Sequence, residues 1–333
     1  MKKENSMPSQ NKKTVAYFAA LTLLFSYIEM ILPRTVPFFR LGLGNIAVLM
    51  ALKIPFAPFA LLCLIKAIAA SLMSGTLFSP FFIISLAQSI SSGIFMYLLS
   101  GLNRKSGEKL LSVYGISVFG AGISALVQIL CCALYLGSGT FALFGPILIF
   151  NTASGILTAF FSLKFQDSEK TSFAKIDIEQ AVESQNQKSA FLQILLALAI
   201  LFAAASIFFI KNIAILATAL VLSLAAQKFC KRKILLLPHI SLWIFILIST
   251  ILVPEGKVLF KIWNVSVTEG AFVSALQKSL RLSAVSALSQ CAVSLRPPKD
   301  SILALTLLYY KGMSDKFIKA KGNIFQRAKE SLN

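Results

Sequence analysis

Residues 78–99 read FSPFFIISLAQSISSGIFMYLL, and not one of them is charged. A helix needs about 20 predominantly apolar residues to cross the ~30 Å hydrocarbon layer of a bilayer. This run has that length. It opens on Pro80, which a first helical turn tolerates, and it carries Gln88 near its middle. Working outward, comparable runs occupy 14–32, 59–73, Val113–Leu136, 141–163, 191–210, 213–226, 234–253 and 270–295, with a shorter one at 46–54 cut off by Pro55 and Pro58. These ten candidate spans predict an all-α polytopic membrane protein: a six-helix domain over 1–165, a polar cytoplasmic linker over 166–190, and a second membrane domain of about four helices over 191–333 that ends in a basic tail.

Composition supports that class. Of 333 residues 57% are hydrophobic and 14% charged, whereas a soluble domain carries roughly a quarter charged. Lys and Arg number 32 against 13 Asp and Glu, a formal +19. The cations fall between apolar runs rather than on a polar face studded with aromatics, so anionic lipid is the expected counter-surface and nucleic acid is not. Lys53, Arg104, Lys105, Lys109, Lys164, Lys170 and Lys175 fall on alternate loops, as do Lys228, Lys231, Arg232 and Lys233. By the positive-inside rule this places the N-terminus and those loops in the cytoplasm of an inner-membrane protein. Arg34 and Arg40 break the pattern, in the Gly- and Pro-rich loop 33–45 on the outer side. Contact with an anionic ligand is one explanation for cations there.

The inventory closes several enzyme classes. The chain has no phosphate-binding G-x-x-x-x-G-K-[ST] loop, no G-x-S-x-G elbow, no H-E-x-x-H and no dinucleotide fingerprint. Asp167, Asp177, Asp300 and Asp315 are scattered, so no carboxylate cluster holds magnesium against a diphosphate. A single histidine, His239, builds neither a metal site nor a Ser-His-Asp relay. Cys63, Cys131, Cys132 and Cys291 sit in apolar runs and Cys230 in a basic loop, which reads as packing rather than a disulfide framework. No catalytic residue, metal or cofactor is expected.

What remains is polarity at membrane depth. A charge at the bilayer centre costs at least about 2.5 kcal/mol, so such residues face a bundle interior or cavity. Lys66, midway along its span, points to a pocket or pairing role, since its ammonium is far from either interface; Lys53, near a span end, snorkels. Glu29 lies within chain reach of Arg34 and Arg40, as an ion pair or a ligand clamp. Gln88, Gln128 and Asn151 serve either as interhelical glue or, with Asn45, as the lining of a ligand chamber. In the tail, Met313, Phe317, Ala320 and Ile324 recur at helical spacing. That segment is expected on the membrane surface or under a partner, with a solvated tail as the alternative.

Six spans, the loop PRTVPFFRLGLGN over 33–45, SGTLFSPFFIISLAQSISSGIFM over 74–96 and GISVFGAGISALVQ over 115–128 make a specific combination. It resembles the Gx transporter family, often labelled heptaprenyl diphosphate synthase component I, over about the first 165 residues. That family's fold is similar to the substrate-binding S component of energy-coupling factor (ECF) transporters. The resemblance implies a small-residue patch on the first helix, here Ala16 and Ala20, where a coupling subunit approaches. The family places an Arg where this chain has Lys66, and a His-Asn pair where it has Ser124 and Ala125. VTEGAFVSALQKSLRLSAVSALS, over 267–289, is similar to part of an ECF coupling (T) subunit and implies a subunit contact for Arg281.

Together these imply the membrane component of an ECF-like uptake system. Glu29, Arg34, Arg40, Asn45, Lys66, Gln88, Gln128 and Asn151 would bind a small anionic or amphipathic organic molecule, and separate cytoplasmic ABC-type ATPases would supply energy. The competing readings are a membrane accessory subunit of polyprenyl diphosphate synthesis and a scaffold for membrane flavin or quinone redox proteins.

Overall fold

The computed structural model describes residues 9–31, 42–169, 190–234, 236–251, 253, 256–262, 265–295, 297–298 and 301–332. Arg34, Arg40 and nearly all of the linker lie outside them. The described residues are all-α apart from one hairpin. The first bundle comprises α1 (Ser9–Ile31), the short α2 (Asn45–Met50), α3 (Phe56–Ser74), α4 (Pro80–Lys105), α5 (Val113–Leu136) and α6 (Phe144–Glu169). Then come α7 (Ala190–Phe209), α8 (Ile213–Phe229), α9 (Leu236–Ile251), the antiparallel strands β1 (Val258–Ile262) and β2 (Val265–Thr268), and α10 (Glu269–Ser289), α11 (Ile302–Lys319) and α12 (Ile324–Leu332).

Local chemistry sets the helix ends. Ser112, Asn212, Thr268 and Ser301 each accept a backbone N–H from the first turn of the helix they precede, replacing a bond the helix cannot make for itself. Gly75 stops α3 in the left-handed conformation at φ 71°. Among the described residues, four helical stretches are long and apolar enough to cross a membrane: Phe56–Ser74, Pro80–Lys105, Val113–Leu136 and Ser138–Gln166. Ile83, Leu98, Leu134 and Ile149 stay exposed on these stretches, and Phe202 and Phe229 on the shorter apolar helices α7 and α8, as lipid-facing surface does.

The consecutive helices α3 to α6 run antiparallel. Phe59 of α3 meets Tyr97 of α4, while further along Ser89 Oγ donates to the Cys63 carbonyl at 2.9 Å. Between α4 and α5, Gln88 meets Gln128 and Met96 meets Gly120. Small residues permit close approach: a Cβ on Gly155 of α6 would stand 3.1–3.2 Å from Ala121, Ser117 and Val118 of α5.

Three expectations need correction. The run at 46–54 does not span; six helical residues and the 3-10 turn Ala51–Lys53 dip beside α1 and α6. The run at 270–295 is α10 followed by a 3-10 segment, and α10 carries Lys278 and Arg281 on its polar stripe rather than the composition of a span. Lys278 Nζ donates to the Leu136 carbonyl at the end of α5 at 2.8 Å, Gln290 Nε2 to the Ser74 carbonyl at the end of α3 at 2.8 Å, and Phe78 N to Ser289 Oγ at 2.9 Å. Alternate helices of an antiparallel bundle end on the same side, so α10 is laid along one end of the first bundle.

The third correction concerns the tail. It packs within the chain: α11 runs along α1. Tyr17 and Tyr309 meet edge to face at 6.3 Å, Tyr27 meets Phe317 at 6.4 Å, and Met313 is 1% exposed. Residues 15–25 of α1 are buried without a break, so α1 is a central post enclosed by α2, α3 and α11. Only Met313 and Phe317 of the four spaced residues serve this face. Ala320 ends α11, and Ile324 opens α12 beyond Gly322, whose φ is 115°.

Candidate functional site

The turn ahead of α2 organises the first polar group. Gly42 takes φ 65°, Asn45 N bonds the Gly42 carbonyl at 2.8 Å and Ile46 N the Leu43 carbonyl at 3.0 Å. Gly44 presses against α1, where an added Cβ would lie 2.8 Å from Ser26 Oγ, so no larger residue fits that approach. Leu43 N donates to Glu29 Oε2 at 3.0 Å, which pins the turn to α1. The turn then presents Asn45 to α3, and Lys66 Nζ donates to Asn45 Oδ1 at 2.5 Å. Glu29, Asn45 and Lys66 thus come together from three separated segments, with Lys66 turned into the bundle.

A second group joins α4 to α5. Gln88 Nε2 donates to Ser124 Oγ at 3.1 Å, to the Ser124 carbonyl at 3.3 Å and to Gln128 Oε1 at 3.2 Å. Gln88 directly precedes Ser89, whose bond to the Cys63 carbonyl ties α4 to the turn of α3 that carries Lys66. On α6, Ser154 Oγ would stand 3.3 Å from a Cβ on Gly42, which brings α6 to the same turn. Asn151, partly buried, lies one helical turn before Ser154. The polar residues therefore fall at one depth on neighbouring helices, in two hydrogen-bonded groups with Asn151 beside them.

Their chemistry is rich in donors. Lys66 has three N–H bonds and uses one on Asn45, and the Gln128 amide accepts from Gln88 while its own N–H pair faces elsewhere. The set suits a molecule bearing acceptor oxygens. Among the described residues no three His, Cys, Asp or Glu side chains gather as metal ligands.

The residues assigned to subunit contacts are used within the chain. Ala16 and Ala20 are fully buried. Ala20 lies three residues from Tyr17 and seven from Tyr27, on the stripe of α1 that meets α11. Arg281 Nη2 donates to the Ile210 carbonyl beyond α7 at 2.7 Å, and Gln277 Nε2 to the Lys211 carbonyl at 2.9 Å. Sequence reasoning missed Ser89, Ser154 and the Leu43 amide, and named Ser124 only as a departure from the family's His-Asn pair. Serines within an apolar run carry no distinguishing signal, and the Leu43 contact belongs to backbone.

A family model described as heptaprenyl diphosphate synthase component I matches residues 18–165. A second, described as a domain of unknown function (DUF8519), matches residues 189–294 and so covers α7 to α10 but not α11 or α12. Comparison with curated proteins and with solved structures gave no match.

Proposed function

We propose, on the premise that residues 18–165 belong to the heptaprenyl diphosphate synthase component I family, that this membrane protein is the substrate-binding component of an ECF-like uptake system. It takes up a small organic molecule bearing carboxylate or phosphate oxygens, with energy supplied by separate ATPases. The observation that supports the reading is Lys66, an ammonium in the middle of α3 that donates to the neutral Asn45 side chain, with the Glu29 carboxylate as its charged neighbour. Burying that charge at mid-bilayer depth costs at least about 2.5 kcal/mol, and a hydrogen bond to a charged group returns about 1.5–3 kcal/mol. The two nearly cancel, Glu29 supplies part of the countercharge from within the chain, and an anionic ligand beside Lys66 would supply the rest.

The test is mass-spectrometric identification of the small molecules retained by the purified full-length protein, compared with Lys66→Met and Arg40→Ala. Losing one charge-assisted bond of about 1.5–3 kcal/mol weakens retention roughly 10- to 150-fold. Wild-type retention in both variants would remove the site. The ATPase part fails if uptake into cells is indifferent to ATP depletion and no ATPase co-purifies.

The family's description favours a second reading, a membrane accessory subunit of prenyl diphosphate synthesis. That reading requires a soluble prenyl synthase to bind the purified protein and change its product length or rate, an outcome the transport reading does not require.

A further inference from the structure

Cys230 closes α8 at the edge of the second bundle, exposed and held in a pinned turn. Its N–H caps the Ala226 carbonyl at 2.9 Å, Lys231 N bonds the Lys228 carbonyl at 2.9 Å and Arg232 N the Gln227 carbonyl at 3.1 Å, while Gln227 Nε2 donates to the Lys233 carbonyl at 3.0 Å. Lys228, Lys231, Arg232 and Lys233 surround it in sequence. Cys291 is buried in the 3-10 segment Gln290–Ser294, which packs against the α8 that Cys230 caps, and the Cys230 thiol is its titratable neighbour. Two reduced thiols from distant parts of the chain therefore meet at the surface, one open to reagents and one sheltered.

We propose that Cys230 and Cys291 form a reversible dithiol–disulfide site that exchanges with low-molecular-weight disulfides. The Cys230 thiolate attacks one sulfur of the reagent's disulfide; that bond breaks, the first thiolate leaves, and a mixed disulfide forms on Cys230. Cys291 sulfur then attacks the Cys230 sulfur, the mixed disulfide breaks, and the second reagent thiolate leaves and takes up the Cys291 proton. The protein loses two hydrogens and the reagent becomes two thiols. Cys230 is exposed and Cys291 buried, so the reagent meets Cys230 first. The bond encloses α9, the hairpin and α10, and it staples α8 to the segment whose Gln290 holds the end of α3.

The experiment equilibrates purified, reduced full-length protein with mixtures of oxidised and reduced glutathione, quenches in acid, alkylates and maps the peptides by mass spectrometry. The expected result is a peptide pair joined through Cys230 and Cys291, two hydrogen masses lighter than its thiols, whose fraction follows the glutathione ratio. Cys291→Ser should convert the product into a lasting glutathione adduct on Cys230. The exposed Cys230→Ser variant guards against misfolding and should leave Cys291 unmodified. Cys230 recovered only as thiol or glutathione adduct in the wild type at every ratio overturns the proposal, as does a glutathione adduct on Cys291 in Cys230→Ser.

Discussion

Replacing Phe317 by Ala tests whether α11 is an integral part of the first bundle. Its ring is 1% exposed, stands edge to face with Tyr27 at 6.4 Å, and carries the Arg327 guanidinium of α12 over its face at 4.5 Å from the centroid. Truncating a buried Phe costs about 3–5 kcal/mol, and that range already contains most of the lost ring contacts. The Arg327 Nε bond to the Phe317 carbonyl, 3.0 Å, survives the change because it uses backbone. A loss of about 4 kcal/mol raises the population of the undocked helix about a thousandfold, at one decade per 1.4 kcal/mol. Amide hydrogen exchange across α11 and α12 reads that population directly wherever opening is local. Ile318, the next residue, is 57% exposed, so Ile318→Ala stays within about 0.5 kcal/mol of wild type. Equal exchange in the two variants, or exchange in Phe317→Ala within a few-fold of wild type, refutes the docking of α11 on α1.

Two other outcomes follow from the packing. Gly155→Leu forces α5 and α6 apart, because the contacted atoms at 3.1–3.2 Å include backbone of Ser117 and Val118; the thermal midpoint should fall by the equivalent of about 1–3 kcal/mol. Gly101→Leu, where nothing stands within 4 Å, should hold or raise it. In α11, burial and then Tyr27 push the Tyr310 hydroxyl up to about 12 from 10.0. The unfolded chain ionises first, so this contribution is intact below pH about 10 and is lost as the pH climbs toward 12. A denaturation series over that window should show a shallower decline in Tyr310→Phe.

The helices were legible because apolar length in a membrane chain is set by bilayer thickness, and Lys66 was legible because a mid-span charge is conspicuous in any such run. Its partner was not. That Asn45 meets Lys66, or that Gln88 meets Ser124, depends on the register of one helix against another, which no single run contains. The spacing of Met313 and Phe317 announced a face to be covered, but periodicity cannot say by what, and the cover proved to be the chain's own α1. In α10, Lys278 and Arg281 sat inside a run read as a span, and their partners, the carbonyls of Leu136 and Ile210, belong to distant segments of the chain. The alternation of Val258, Phe260 and Ile262 with Val265 and Val267 was a strand pattern hidden beside Lys257 and Lys261.

The enclosure of α1 has a consequence for biogenesis. Tyr17 and Tyr309 are separated by roughly 290 residues, which a ribosome adding 5–20 residues per second takes on the order of 15–60 s to make. Through that interval one flank of the first helix has only lipid or a chaperone beside it. The amino-terminal half therefore matures only once α11 has been made, and a nascent chain halted before Ile302 should be recognised by membrane quality control although every helix of that half has already been synthesised.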